Sequence, residues 1–135
     1  MSVNRDLTQD LTEIDVYPRL PLAVRSAKGC ELELEDGTFL PESNAIIWYL
    51  AEGTPFMPAT PILRAQALRW MCFEQYSHEP NIATVRFWTR HPKDTEDRRV
   101  MMPIKRELGY AALRVMEGHL EDRDYFVGDA YSIAD

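Results

Sequence analysis

Cysteine is scarce in this chain. Its two cysteines, Cys30 and Cys72, are far apart among 135 residues and have neither a redox nor a metal-binding spacing. A disulfide-rich secreted domain or a zinc module would need more thiols at closer spacing. Two isolated thiols are instead typical of a protein from a reducing compartment, so we expect a cytoplasmic location.

Long hydrophobic runs and an excess of basic charge are also missing. No stretch approaches the roughly 20 apolar residues of a membrane span, and the N-terminus lacks the layout of a signal peptide. Asp and Glu number 22 against 15 Lys and Arg, for a net charge of −7. We therefore expect neither a membrane nor a nucleic-acid partner. The remaining composition, 45% hydrophobic and 27% charged, is that of a soluble globular protein.

A β-hairpin is the first clear element. Residues 31–35 alternate polar and apolar, Asp36 and Gly37 supply turn residues, and residues 38–40 form the predicted return strand, which Pro41 ends. Residues 1–29 are ambiguous, because residues 12–16 fit a short strand as well as part of a helix.

A helix is predicted directly after the hairpin. Ser43 and Asn44 open it, apolar residues recur at helical spacing up to position 51, and Gly53 closes it. Three prolines in residues 54–61 then indicate a stiff linker. These limits predict two domains, at residues 1–53 and 62–135.

The second predicted domain is helical throughout. Residues 62–76 carry two apolar stripes, which need two burial surfaces, and Pro80 is expected to kink or break the helix. Cys72 is interpreted as a small core residue. One stripe comprises Ile62, Ala65, Leu68, Cys72, Phe73 and Tyr76; the other comprises Leu63, Ala67, Trp70 and Met71.

A further helix is predicted after residue 95, with Asp94 or Thr95 as its N-cap. Its expected core stripe is Ile104, Leu108, Ala111, Ala112 and Val115. Ser132 and Asp135 then have the spacing of a capping box. Because a helix should begin there and the chain ends, we expect a truncated protein.

The residues between hairpin and first helix form a candidate binding turn. The unpaired N–H groups of a helix N-terminus and the Ser43 hydroxyl suit a carboxylate, and Glu42 suits an ammonium group. Together they would fit an amino-acid headgroup. The alternative is that Ser43 only caps its helix and Glu42 is an exposed acid. His78, His91 and His119 share no ligand spacing, so no metal site is predicted.

Several segments together resemble the glutathione S-transferase family. They are residues 34–46, 48–53, 70–71, 73–80 and 127–135, and the resemblance spans residues 31–135. It implies an α+β chain: a partial thioredoxin-like domain of β-hairpin and helix, followed by a partial all-α C-terminal domain. It further implies that Glu42 and Ser43 hold the γ-glutamyl end of glutathione, that glutathione is conjugated to a small electrophile, and that the protein forms a homodimer.

The chain departs from the family pattern before the hairpin. Family members have a strand followed by a catalytic Ser, Tyr or Cys, and no such segment occurs in residues 1–30. Ser2 and Tyr17 have suitable chemistry without matching context, so the catalytic residue stays unknown. Cys30 stands where the family has a cis-proline. We therefore expect this chain to be inactive; the alternative is a non-catalytic binding or interaction module of the same fold.

Overall fold

The computed structural model describes residues 24–29 and 31–135, which divide into two compact units between Ile46 and Ile47. The expectations for residues 12–16, Ser2, Tyr17 and Cys30 lie outside the described residues, and the domain limits stay a prediction. In chain order the elements are β1 Val24–Lys28, β2 Glu31–Leu34, β3 Phe39–Pro41, α1 Ser43–Ala51, α2 Pro61–Phe73, a π-helix Glu74–Ala83, α3 Thr84–Arg90 and α4 Glu96–Leu120.

The predicted hairpin is present as β2 and β3. They pair antiparallel with Leu32 opposite Leu40, and Leu32 is the buried residue of β2. Gly37 has a φ of 84°, which a glycine adopts without strain. The Thr38 N–H donates to Asp36 Oδ1 at 2.8 Å, and this bond lowers the pKa of the Asp36 carboxyl. The turn therefore has the chemistry that the Asp-Gly pair predicts.

Strand β1 is an element that the sequence did not predict. It pairs antiparallel with β2 and completes the sheet order β1-β2-β3. All five of its residues are exposed. Their sequence does not alternate apolar and polar residues, which is the pattern that predicts a strand with one buried face. Polar contacts join the two strands: Glu33 lies 3.1 Å from Arg25 Nη1 and 2.9 Å from Ser26 Oγ.

Helix α2 begins at Pro61, where the predicted linker ends. The helical run then continues beyond α2, through the π-helix into α3. The Thr60 side chain accepts from the Leu63 N–H, and Pro61 occupies the first turn, where its missing N–H costs nothing. Of the kink or break predicted at Pro80, the break is wrong, because the helical run passes through Pro80 into α3 as a π-helix. In π-helical pairing each N–H faces the carbonyl five residues back, so the carbonyl that a proline ring would meet in an α-helix is displaced.

Helix α4 starts at its predicted cap, with Thr95 accepting from the Arg98 N–H and acidic residues in the first turn. Its predicted core stripe is only partly correct. Ala112 is buried, but Leu108 and Val115 are each 52% exposed. Gly109 is the second buried residue of α4, and a Cβ there would lie 3.2 Å from Ile82 Cγ1. Helix α4 therefore approaches Ile82 of the π-helix at Gly109, and its buried residues are Gly109 and Ala112 rather than the whole predicted stripe.

The core of the second unit forms around Trp70. Ala67, Trp70 and Val127 are buried together, and apolar residues of α2, α4 and the C-terminal segment pack against them. The other apolar stripe of residues 62–76 is mostly exposed, with Tyr76 of the π-helix 82% accessible, although Phe73 packs against this core. The expectation that Cys72 belongs to the core is wrong, because it lies on this exposed stripe. No described element of residues 47–135 covers that face.

The predicted capping box at the C-terminal end is confirmed. Asp135 Oδ2 accepts from the Ser132 N–H at 2.9 Å, and the Ala134 N–H donates to Ser132 Oγ at 3.2 Å. Asp135 Oδ1 also accepts from the Phe126 N–H at 2.8 Å. Ser132 is buried, so this network fastens the last residues to the segment that precedes them. None of the described helices is long and apolar enough to cross a membrane.

Candidate functional site

The candidate binding turn lies where β3 ends at Pro41 and α1 begins at Ser43. Between them, Glu42 adopts a φ of 74°, the left-handed region that non-glycine residues rarely occupy. Its carbonyl accepts from the Ile46 N–H at 2.9 Å, which places Glu42 at the N-cap position. Ser43 is therefore the first residue of the helix rather than its cap. The simpler reading of Ser43, that it only caps the helix, does not describe its position.

Both side chains of this turn are available to a ligand. Glu42 and Ser43 are exposed. Among the residues that the structure describes, the Glu42 carboxylate makes no ion pair and the Ser43 hydroxyl no hydrogen bond. The first turn of α1 contains no acidic residue after Glu42. Nothing described on this helix end therefore competes with a bound carboxylate.

The turn offers a positive and a negative group close together. The free N–H groups of a helix N-terminus act as about half a positive charge, which favours an anion. The Glu42 carboxylate, one residue earlier, favours a cation. Backbone N–H and serine hydroxyl donors beside a carboxylate acceptor match the two charged groups of a free amino acid. The sequence had indicated the residues of this pair, but not the left-handed backbone that arranges them.

The other polar candidates do not form a site together. His78 Nδ1 lies 4.0 Å from Glu74 Oε1, whereas His119 Nε2 lies 2.9 Å from the Phe126 carbonyl oxygen. His91 packs its ring against Phe87, with centroids 4.7 Å apart. Within residues 24–29 and 31–135, no group of three His, Cys, Asp or Glu side chains could hold a metal ion.

Comparison with known proteins gives a consistent result. No family model matches the chain. A curated glutathione S-transferase-like protein from a Fusarium species is 29% identical over 107 residues, covering 74% of this chain and 47% of its own length. The crystal structure of a glutathione S-transferase from Pseudomonas fluorescens Pf-5 superposes with a TM-score of 0.74 at 52% identity, covering 80% of this chain and 54% of that one.

A third relative was solved with a ligand. The glutathione transferase from Pseudomonas putida, with one glutathione disulfide bound per subunit, is 32% identical with a TM-score of 0.63, covering 75% of this chain and 45% of that one. The chain thus spans about half the length of these relatives. Its small antiparallel sheet followed by helices confirms the predicted α+β class, part of a thioredoxin-like domain and part of an all-α C-terminal domain. From these likenesses, the chain belongs to the glutathione S-transferase family.

Proposed function

We propose that this protein binds glutathione through its γ-glutamyl end at the turn formed by residues 41–43. The observation that carries the proposal is the left-handed Glu42 at the exposed N-terminus of α1, with Ser43 directly after it. Glu42 would face the ligand's ammonium group. Ser43, with its hydroxyl and backbone N–H, would face the carboxylate. The glutathione disulfide in the relative from Pseudomonas putida is consistent with this ligand class.

The activity proposed for intact relatives is conjugation of glutathione to a small electrophile, in the cytoplasm. That chemistry needs a donor that stabilises the glutathione thiolate. No residue of this sequence has the context of such a donor, so we propose that this chain binds glutathione without turning it over. We assign no catalytic residue and propose no metal ion. The electrophile is unidentified.

A non-catalytic module of the same fold is the second candidate. The exposed apolar side chains of residues 62–76 favour it, because Ile62 and Leu68 of α2 and Tyr76 of the π-helix are each more than half accessible on a charged protein. A second copy of the chain is the partner that the family resemblance implies for this face. The two candidates share the fold and differ in what they bind: the first binds glutathione at residues 41–43, and the second contacts another chain through its exposed apolar side chains.

The Ser43→Ala variant should bind glutathione about tenfold more weakly than the wild type, because a hydroxyl donor to a carboxylate is lost. We expect the wild-type affinity itself to be weak, since only one end of the ligand is held. Amide chemical shifts followed during a glutathione titration measure both affinities. Ser77→Ala, a change of the same size in the π-helix, is the matched control. Equal affinities for the wild type and Ser43→Ala would remove Ser43 from the site.

The purified chain should show no transferase turnover with glutathione and an electrophilic aryl halide. The rate of thioether formation, followed by absorbance, should equal the rate in buffer, because no thiol-activating residue can be placed. A rate above buffer that disappears in Ser43→Ala would contradict this. Substitutions at Ser2, Tyr17 and Cys30 would then show which residue activates the thiol.

A further inference from the structure

Helix α4 carries an exposed stripe of apolar residues and one glycine. They recur at alternating steps of three and four residues, the a and d spacing of a coiled-coil helix: Met101, Ile104, Leu108, Ala111, Val115 and Gly118. All six are exposed, and Leu108 and Val115 are each about half accessible. A Cβ added at Gly118 would meet no atom within 4 Å, so the end of the stripe is open as well.

The stripe is separate from the side by which α4 packs in its own unit. The buried residues Gly109 and Ala112 lie about a quarter of a turn around the helix from it, at 3.6 residues per turn. On that side the Gly109 backbone approaches Ile82, and Lys105 Nζ donates to the Pro80 carbonyl at 2.8 Å. Helix α4 therefore has one apolar side that packs against the π-helix and a second that faces solvent and needs another burial surface.

Two opposite charges flank the stripe. Glu107 and Arg114 lie about two helical turns apart on the same flank, and both occupy the g position of the heptad. Both side chains are exposed, and neither forms an ion pair or hydrogen bond with a residue in the described ranges. Charged residues at e and g positions determine the partner and the orientation of paired helices. This flank therefore carries the charges that select a partner helix.

We propose that the stripe pairs with the same stripe of a second copy of the chain, with the two α4 helices antiparallel. In an antiparallel pair an a residue lies opposite a d residue of the other helix. A large side chain then meets a smaller one in each layer, and every layer occurs twice because the contact is two-fold symmetric. The facing pairs are Met101 and Gly118, Ile104 and Val115, and Leu108 and Ala111.

The charges favour the antiparallel arrangement over a parallel one. In the antiparallel register the g positions of the two helices face each other, so Glu107 of each copy would lie beside Arg114 of the other. Two ion pairs between the copies result. In a parallel pair a g position faces an e position, and Glu107 would instead meet Ala112, which carries no charge. Only the antiparallel contact is complementary to itself at this flank.

This surface differs from the two already described. It contains neither Glu42 nor Ser43, and it lies on a different helix from the exposed apolar side chains of residues 62–76. The inference therefore depends neither on the proposed glutathione turn nor on the contact that the family resemblance implies. A helix of an unrelated protein would have to reproduce both the apolar spacing and the opposite charges, which a second copy supplies by symmetry.

The test measures the dimer dissociation constant by sedimentation velocity over a range of protein concentrations. Glu107→Arg and Arg114→Glu each replace both attractive pairs with repulsive ones, so each should weaken dimerisation about tenfold. The double variant Glu107→Arg/Arg114→Glu restores opposite charges across the contact and should dimerise about as tightly as the wild type. The control Glu117→Arg makes the same change of charge on the other side of α4 and should have no effect.

Mixing the two single variants tests the register further. Glu107→Arg has arginine at both positions and Arg114→Glu has glutamate at both, so the two chains should associate with each other more tightly than either does with itself. Leu108→Gln should weaken dimerisation about a hundredfold, because the change occurs twice in a two-fold contact. Leu108 is half exposed, so circular dichroism should show that the helices of this variant persist.

Any of three outcomes would contradict the proposal. The first is a wild type that stays monomeric at every concentration. The second is a dimer with the same dissociation constant in both single charge variants as in the wild type. The third is a dimer that survives Leu108→Gln but is lost in Leu68→Glu, which would assign self-association to the apolar side chains of residues 62–76 instead.

Discussion

Replacing Trp70 with alanine should lower the free energy of unfolding by about 3–5 kcal/mol, the largest effect expected from a single side chain here. Trp70 is only 7% exposed and lies at the centre of the core of the second unit. Its ring centroid is 4.6 Å from those of both His119 and Phe126, and 5.3 Å from that of Phe73. Urea unfolding followed by circular dichroism would measure the loss.

Trp70→Phe is the matched comparison for this prediction. The Trp70 Nε1 is buried without a hydrogen-bond partner among the described residues, and an unsatisfied buried donor is itself unfavourable. Phenylalanine removes that donor and keeps most of the ring contacts, so its loss should be clearly smaller than that of alanine. Equal losses for the two variants would mean that aromatic packing around residue 70 does not stabilise the unit.

The Asp135→Ala variant should lower the free energy of unfolding by about 2–3 kcal/mol, because hydrogen bonds from one carboxylate to several donors are removed together. The donors are the Ser132 N–H and Oγ and the Phe126 N–H, at 2.9, 3.2 and 2.8 Å. Losing them would release the buried Ser132 and the segment on which Val127 lies. Thermal and urea unfolding measure the change.

The control for Asp135 lies in the same segment. Asp129 is an exposed aspartate without a described hydrogen bond or ion pair, so Asp129→Ala should change stability by no more than about 0.5 kcal/mol. Comparable losses from both aspartates would show that general charge reduction, rather than the capping network, accounts for the effect.

Elements with a strong local signal could be predicted from the sequence. The Asp36–Gly37 pair determined the hairpin turn, and Thr95 was one of the two predicted N-caps of α4. In each case the residues that decide the geometry are neighbours in the chain. The Ser132 capping box was predictable for the same reason.

Features that depend on tertiary packing could not be predicted. The exposed position of Cys72 follows from the absence of a described covering element, which no helical periodicity reveals. The passage of the helix through Pro80 depends on π-helical pairing, whereas the apolar pattern was read with the period of an α-helix. Strand β1 has no buried residue and is held by pairing with β2, so it left little trace in its own composition.

The candidate site likewise has features that could be predicted from the sequence and features that could not. Glu42 and Ser43 could be identified from the sequence because they lie between a strand and a helix. Their backbone arrangement could not, since a glutamate gives no indication that it will adopt a φ of 74°.

The left-handed backbone of Glu42 implies a conflict between folding and recognition at one residue. A non-glycine residue in this region costs on the order of 1–3 kcal/mol, and glycine would relieve that strain. Glycine would also delete the only acidic side chain at the start of α1. Selection for a more stable chain and selection for an ammonium-binding turn therefore favour different residues at position 42. The strain at Glu42 is thus a stability cost that the proposed ammonium-binding turn would carry.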